Sequence, residues 1–513
     1  MPISRVRPAL LALGLLGLTA LTPSAAPGQA ATDFKPFRME PPAVSSASQV
    51  RMGDLASGKV KVKGPDLAAN RAVLQEVANG RVYRVTFESY YSLPDTGELR
   101  PRTGEQNLNV LIADLQTYIL VPTPERDLAR LTPDQGDFIV EFGAAVDRAV
   151  AAVFARNPPA IIRVNAARLM AEAAKSGAPA FGKSVTAMLT NTYFKDKPAT
   201  DKSAKPIPTP PEVFYYALRA AENLLAAHDP TVAQGGQFAN RHSLPDAELV
   251  PLVKLLEEMV VKGPPVADKA AAATVDASGR PIVLAAPTGE ADAPKADATK
   301  ADATKGLTPE QAAVVRYYRR AAIRALAKVR FDTVGGKGGP GGETRPAFTL
   351  AKVAVSDSTL SLPSSPGDAA EAVIGLAGMA PVTANTTLNL DAWSSAMAVG
   401  MAAYATPRIA ATAADERSLP WKVYSARLNV AVSALKRSAV SSPRLRPFTQ
   451  PLTELCNILL ADIITPLEKD NQVGTDRPST ERLAEWRRNN TPKDPAGSFY
   501  SDSPGYKLNY KAN

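Results

Sequence analysis

The sequence predicts an all-α protein. Alanine is abundant, and aromatics make up only 6% of a chain that is 45% hydrophobic; this balance favours helix, because alanine loses no side-chain freedom there. Apolar residues recur at i, i+3, i+4 and i+7 through most of the length. One stretch alone, Arg81 to Tyr91, is β-branched and aromatic enough for a strand, and no partner strand lies near it. Helix and short extended segment both stay open there. The expected architecture is an irregular helical repeat or helical bundle, in two blocks joined by long disordered linkers.

Residues 1–30 read as a secretory signal. Arg5 and Arg7 precede a short apolar run from Ala9 to Leu21, and Gly28-Gln29-Ala30 offers a small-x-small cleavage site. The run is short for a membrane span, and no later stretch is apolar enough for one. An exported chain with the single cysteine Cys456 has no internal disulfide. That cysteine sits among Leu452, Leu455, Leu459 and Ile463, a stripe in which a thiol packs as a small hydrophobe.

Residues 31–64 are rich in proline, serine and small residues, a composition expected to be poorly ordered. The first helical block runs from 65 to 262. It opens with a helix over 65–78 and another over 107–120, carried by Leu108, Leu111, Ile112, Leu115 and Ile119. Thr132-Pro133-Asp134-Gln135 places a capped start before a long run to Ala155. Helices follow at 160–175, 180–194, 211–228 and 246–262. Residues 263–306 form a polar linker containing the direct repeat Ala296-Asp297-Ala298-Thr299-Lys300 and Ala301-Asp302-Ala303-Thr304-Lys305. The second block, 307–470, starts at Thr308-Pro309-Glu310 and holds helices at 308–331, 367–380, 386–404, 418–437 and 448–468. A glycine-rich connection at 335–342 separates the first two of these. The tail from 471 to 513 turns polar, with one short helix at 478–489.

The helix at 211–228 organises the reading. Two prolines, Pro210 and Pro211, suit its first turn, which needs no N–H donors, and Glu212 suits the positive end of the helix dipole. Val213, Ala217, Ala220, Leu224 and Ala227 form an apolar stripe, while Arg219, Glu222 and Asn223 mark a wetter side. Ala217-Leu218-Arg219-Ala220-Ala221-Glu222 can be laid over Ala166-Ala167-Arg168-Leu169-Met170-Ala171 and Ala322-Ile323-Arg324-Ala325-Leu326-Ala327. Ala372-Val373-Ile374-Gly375-Leu376-Ala377 is a copy without the arginine. This small-apolar-Arg-apolar pattern resembles the second helix of HEAT or armadillo repeats. The resemblance implies helices stacked side by side and a binding role, and it transfers no functional residue. The copies are farther apart than the ~40 residues usual for such repeats, and loops interrupt them.

Motifs that would carry chemistry meet the wrong surroundings. Gly177-Ala178-Pro179-Ala180-Phe181-Gly182-Lys183-Ser184 fits the phosphate-binding pattern G-x-x-x-x-G-K-[ST]. The segment before it has helical rather than strand periodicity, so a turn between packed helices is expected, with Gly177 as a helix stop. Asp95-Thr96-Gly97 resembles an aspartic protease triplet, and Leu93 to Gly97 resembles a sorting signal; a turn built on Pro94 explains both. The two histidines, His228 and His242, share no ligand spacing, and no G-x-S-x-G elbow is present. The sequence thus names no catalytic residue, no metal ligand and no cofactor.

One charged feature stands out. Over 308–331, Arg316, Arg320, Arg324 and Lys328 recur every four residues, joined by Arg319 and Arg330, and Glu310 is the only acid. Two readings stand side by side. The stripe contacts an acidic partner, either a protein or an anionic envelope component, or it is structural, a solvated face or arginines that bond neighbouring helix ends. Nucleic acid is not expected, because aromatics do not interleave with the charge. The sequence therefore points to an exported, periplasmic or envelope-associated binding or scaffold protein without catalysis, with Arg316, Arg319, Arg320, Arg324 and Lys328 as the candidate contact. The alternative is an envelope enzyme built from dispersed carboxylates and arginines. Oligomeric state is not legible.

Overall fold

A computed structural model describes residues 37–87, 108–119, 132–195, 203, 205–228, 244–264, 309–336, 342–379, 387–410, 421–441, 445–459, 480–490 and 497–509. Several expectations fall outside these residues: the signal at 1–30, nearly all of the linker at 263–306, the triplet at 95–97, His242 and the centre of the glycine-rich connection. The chain from Phe37 onward forms one compact unit.

The fold is all-α. In chain order the helices are α1 (Ser46–Ala56), α2 (Leu67–Val82), α3 (Leu108–Ile119), α4 (Pro133–Phe154), α5 (Ala160–Ala173), α6 (Ala180–Leu189), α7 (Pro211–Ala227) and α8 (Asp246–Lys262). They continue as α9 (Pro309–Leu326), α10 (Pro346–Ala354), α11 (Pro366–Gly378), α12 (Leu390–Ala410), α13 (Trp421–Ser441), α14 (Arg446–Leu459) and α15 (Thr480–Asn490). Between α9 and α10, β1 (Val334–Gly335) pairs antiparallel with β2 (Glu343–Thr344). No helix among the described residues is long and apolar enough to cross a membrane.

The helices pack in two rows. Even-numbered helices touch in sequence, α2 on α4, then α6, α8, α10, α12 and α14, while odd-numbered ones run α3, α5, α7, α9, α11, α13. Each of α4, α6, α8 and α10 also packs on the odd helix that follows it. Small residues permit this closeness. Ala217, Ala220 and Ala221 of α7 have no exposed surface, as the stripe required. A Cβ on Gly375 of α11 would come within 2.7 Å of Ala327 Cβ, and one on Gly400 of α12 within 2.7 Å of Val373. The starts of two helices are fixed as their sequences specify: Thr132 with Gln135 and Ser365 with Asp368 both form reciprocal capping boxes.

Charged bridges tie neighbours within and between rows. Arg71 of α2 donates to Glu141 of α4 at 2.7 and 2.8 Å, which holds the Glu141 carboxyl below its ordinary range. Arg81 of α2 reaches Asp114 of α3 at 2.6 Å. Arg163 of α5 reaches Glu212 of α7 at 3.1 Å. The aligned arginines also reach along the odd row. Arg168 bonds Asn109 of α3 at 2.7 Å, and Arg324 lies 3.6 Å from both Glu222 of α7 and Glu371 of α11.

The structure resolves what the sequence left open, and departs from it, in several places. Within 31–64, residues 46–56 form α1, capped by Ser45, with Met52 and Leu55 buried against α2 and α4. The ambiguous stretch from Arg81 continues α2 and tightens into a 3₁₀ turn at Tyr83–Thr86. The two blocks share a core, because α7 and α8, before the linker, pack directly on α9, after it. The polar C-terminal tail contributes Phe499 and Tyr500 to that core, both with no exposed surface.

The tail is held by one arginine. Arg345 stacks over the Tyr500 and Tyr506 rings at 4.2 and 4.6 Å and pairs with Glu343 and with Asp502, the latter at 3.4 Å. The Tyr500 hydroxyl donates to the Asp332 carbonyl at 2.9 Å, and Asp357 accepts from the Asn509 amide at 2.6 Å. Tyr500 also forms a β-bridge with Leu388.

Ala217→Asp is expected to cost roughly 2–5 kcal/mol, because it buries an unpaired charge and overfills a small site. Glu222→Ala is expected to cost about 1–3 kcal/mol, since the glutamate is buried and its arginine partners would lose their acceptor. Chemical denaturation checks both; an Ala217→Asp midpoint equal to that of the parent would remove residue 217 from the core.

Candidate functional site

The arginine-rich helix α9 is the centre of the odd row, and its two flanks do different work. Arg319 is 1% exposed. It donates to the Val260 carbonyl at 2.9 Å and to the Pro363 carbonyl at 3.2 Å, closing the ends of two neighbouring segments. Arg320 donates to Asp368 and to the Ser365 hydroxyl, both at 2.9 Å, so it locks onto the capping box of α11. Arg324 bridges Glu222 and Glu371, and Lys328 lies 3.9 Å from Glu222. Glu371 is 1% exposed and also takes a bidentate pair from Arg427 of α13, one bond at 2.7 Å. Buried carboxylates are stable only when paired in this way.

Four of the five stripe residues therefore hold helices together. Arg319 is buried, which corrects its reading as an outward contact. Arg320, Arg324 and Lys328 are half-buried and spend their charge on acids from other helices. Only Arg316 of the five is exposed, and no carboxylate among the described residues pairs with it. Glu222, placed on a wetter side by the sequence pattern, is buried because two arginines and a lysine converge on it.

The other flank of α9 borders a groove that the sequence reading missed. Ala313, Val314, Tyr317 and Tyr318 face Pro211, Glu212, Tyr215 and Tyr216 of α7 and Val164 of α5 across a cavity of about 560 Å³. Its rings form a continuous set. Tyr215 and Tyr317 have centroids 5.5 Å apart, Tyr215 and Tyr216 5.1 Å, and Tyr318 packs on Phe214 at 5.3 Å. Tyr317 is 52% and Val314 46% exposed. The Tyr318 hydroxyl donates to the Pro211 carbonyl at 2.8 Å. Burial, and then its hydrogen bond with Tyr215, pushes the Tyr317 phenol up to about 12; burial, and then Glu212, does the same for Tyr318. The phenols thus act as neutral rings and hydrogen-bonding groups at any physiological pH. Paired Tyr-Tyr doublets at 215–216 and 317–318, about one and two turns into their helices of the odd row, were the sequence signal that could have revealed the groove.

The remaining motifs are structural. Gly177 adopts φ 71° as the stop after α5, and Ser184 of α6 donates to Asp147 of α4 at 3.0 Å. The glycine-lysine-serine run thus lies on the first turns of α6, after a helix and not a strand. His228 is the C-cap of α7 and meets the Phe331 ring edge-on at 6.4 Å. Cys456 is buried, and burial pushes its thiol up to about 12, so it is a poor nucleophile. No group of three metal-ligating side chains occurs among the described residues.

Two acids stand out for protonation. Burial between α4 and α6 pushes Asp147 up to about 6, against the opposing bond from Ser184. Burial beneath α10 pushes Glu257 up to about 7, although Thr349 donates to it at 3.1 Å. Both lie in helix packing and neither lines the groove. No protein-family model, curated protein or solved structure matches the chain.

These acids fix a pH dependence. Their folded pKa values lie above those of the unfolded chain, so folding favours their protonated forms. Their cost to stability is absent below about pH 4 and grows as pH rises through 6 and 7. A tenfold change in proton affinity is worth about 1.4 kcal/mol, so melting temperature is expected to fall between pH 5 and 7.5. Asp147→Asn with Glu257→Gln is expected to flatten that fall; an unchanged slope in thermal melts would show that neither acid is buried as described.

Proposed function

We propose that this is an exported, non-catalytic binding protein of the cell envelope, and that the tyrosine-lined groove between α5, α7 and α9 is its binding surface. The observation that carries the reading is the exposed aromatic set on a rigid base. Large rings left half in water are costly as surface and are enriched where partners dock. The ion pairs of α9 fix the groove walls from behind, so a partner meets a preformed site. The acids with raised pKa values sit elsewhere, inside helix packing, and the groove acid Glu212 is paired with Arg163. This favours binding over the enzyme alternative, for which a cleft should gather such acids.

The reading is tested with a photoreactive residue placed at position 317, and at position 430 on α13 as an exposed control. Irradiation in cells is expected to give a discrete, saturable adduct from 317 and none from 430. Equal yields from both would place the binding surface elsewhere. Sequencing of the same adduct's N-terminus is expected to begin at Ala31, or one residue either side.

A further inference from the structure

We propose that the groove takes an extended peptide carrying proline and acidic residues. This rests on the binding reading above and names the partner's chemistry. The lining is apolar or aromatic apart from Glu212, whose carboxylate already accepts from Arg163. The Tyr318 hydroxyl is already given to the Pro211 carbonyl, and the Tyr215 and Tyr317 rings lie against each other at 5.5 Å. A sugar would bring many hydroxyls to walls with few groups left to receive them, and each hydroxyl buried without a partner costs free energy. Proline brings the opposite. It has no N–H to satisfy, its ring packs flat on aromatic faces, and its extended helix is already ordered before binding.

Charge selects the rest of the peptide. Among the described residues, the unpaired charge beside the groove is positive. Arg316 is exposed on α9 beside Ala313 and Tyr317, and no carboxylate among the described residues pairs with it. A glutamate or aspartate flanking the proline would meet Arg316 at the rim, where a lysine would be repelled.

The test uses the full chain and three short blocked peptides. One alternates proline with glutamate and alanine, the second has lysine for glutamate, and the third has serine for proline. Fluorescence polarisation is expected to rank the first tightest, with at least a tenfold loss for serine and about a fivefold loss for lysine. Its affinity is expected to weaken as salt rises. Tyr317→Ala is expected to lose at least tenfold with unchanged circular dichroism, and Tyr317→Phe to retain the binding. Arg316→Glu is expected to abolish or reverse the preference for glutamate over lysine. Binding indifferent to proline, or a charge preference untouched by Arg316→Glu, would overturn the proposal. So would an oligosaccharide that quenches the groove tyrosines when no peptide does. If no peptide binds but position 317 still gives its saturable adduct, the peptide assignment falls and the binding reading stands. If both fail, the reading falls with it.

Discussion

The pairing of buried carboxylates with arginines from α9 is the constraint on which the odd row depends. Glu371 is 1% exposed, Asp368 4% and Glu222 7%, on helices that would otherwise be pressed together with unpaired negative charge. Arg319, Arg320 and Arg324 supply the compensation, and Arg427 completes it at Glu371. The geometry is demanding, because each guanidinium must reach an acid on another helix. These pairs form in the rotation that α9 adopts. That rotation turns Ala313, Val314 and Tyr317 outward beside Tyr215, so the groove is a consequence of how the ion pairs seat the helix.

The same pairs explain why a linker can interrupt the core without dividing it. α7 and α8 precede the 263–306 segment, and α9 follows it. The Tyr318 hydroxyl bonds the Pro211 carbonyl, Arg319 bonds the Val260 carbonyl, and Arg324 meets Glu222. Each contact crosses the linker. At the far end Arg345 closes the structure by stacking on two tyrosine rings of the C-terminal tail and pairing with Asp502 of the tail and with Glu343. A polar, short-helical tail can thus be integral when its few aromatics find a cation.

Local patterns were legible in the sequence. The apolar stripe of α7, the cap at Thr132 and the four alanine-rich segments all describe interactions within one helix, and those segments became α5, α7, α9 and α11 of one row. The role of the arginines was not legible, because their acids lie on other helices: Glu222 is 102 positions before Arg324, and Glu371 is 47 after it. An i, i+4 stripe looks the same whether it faces water or a neighbour's buried carboxylates. The helix α10 was missed because its nine residues are nearly all apolar and show no periodicity to read. The groove was invisible for a further reason, since it is assembled from two tyrosine doublets about a hundred residues apart.

The most direct measurement is a double-mutant cycle in equilibrium unfolding, pairing Arg324→Met with Glu222→Gln and, separately, with Glu371→Gln. Residues in one network couple by about 0.5–3 kcal/mol. The account predicts coupling above roughly 1 kcal/mol in both cycles, because Arg324 serves two carboxylates on two helices. Additive effects in both cycles, with Arg324→Met as stable as the parent, would contradict it.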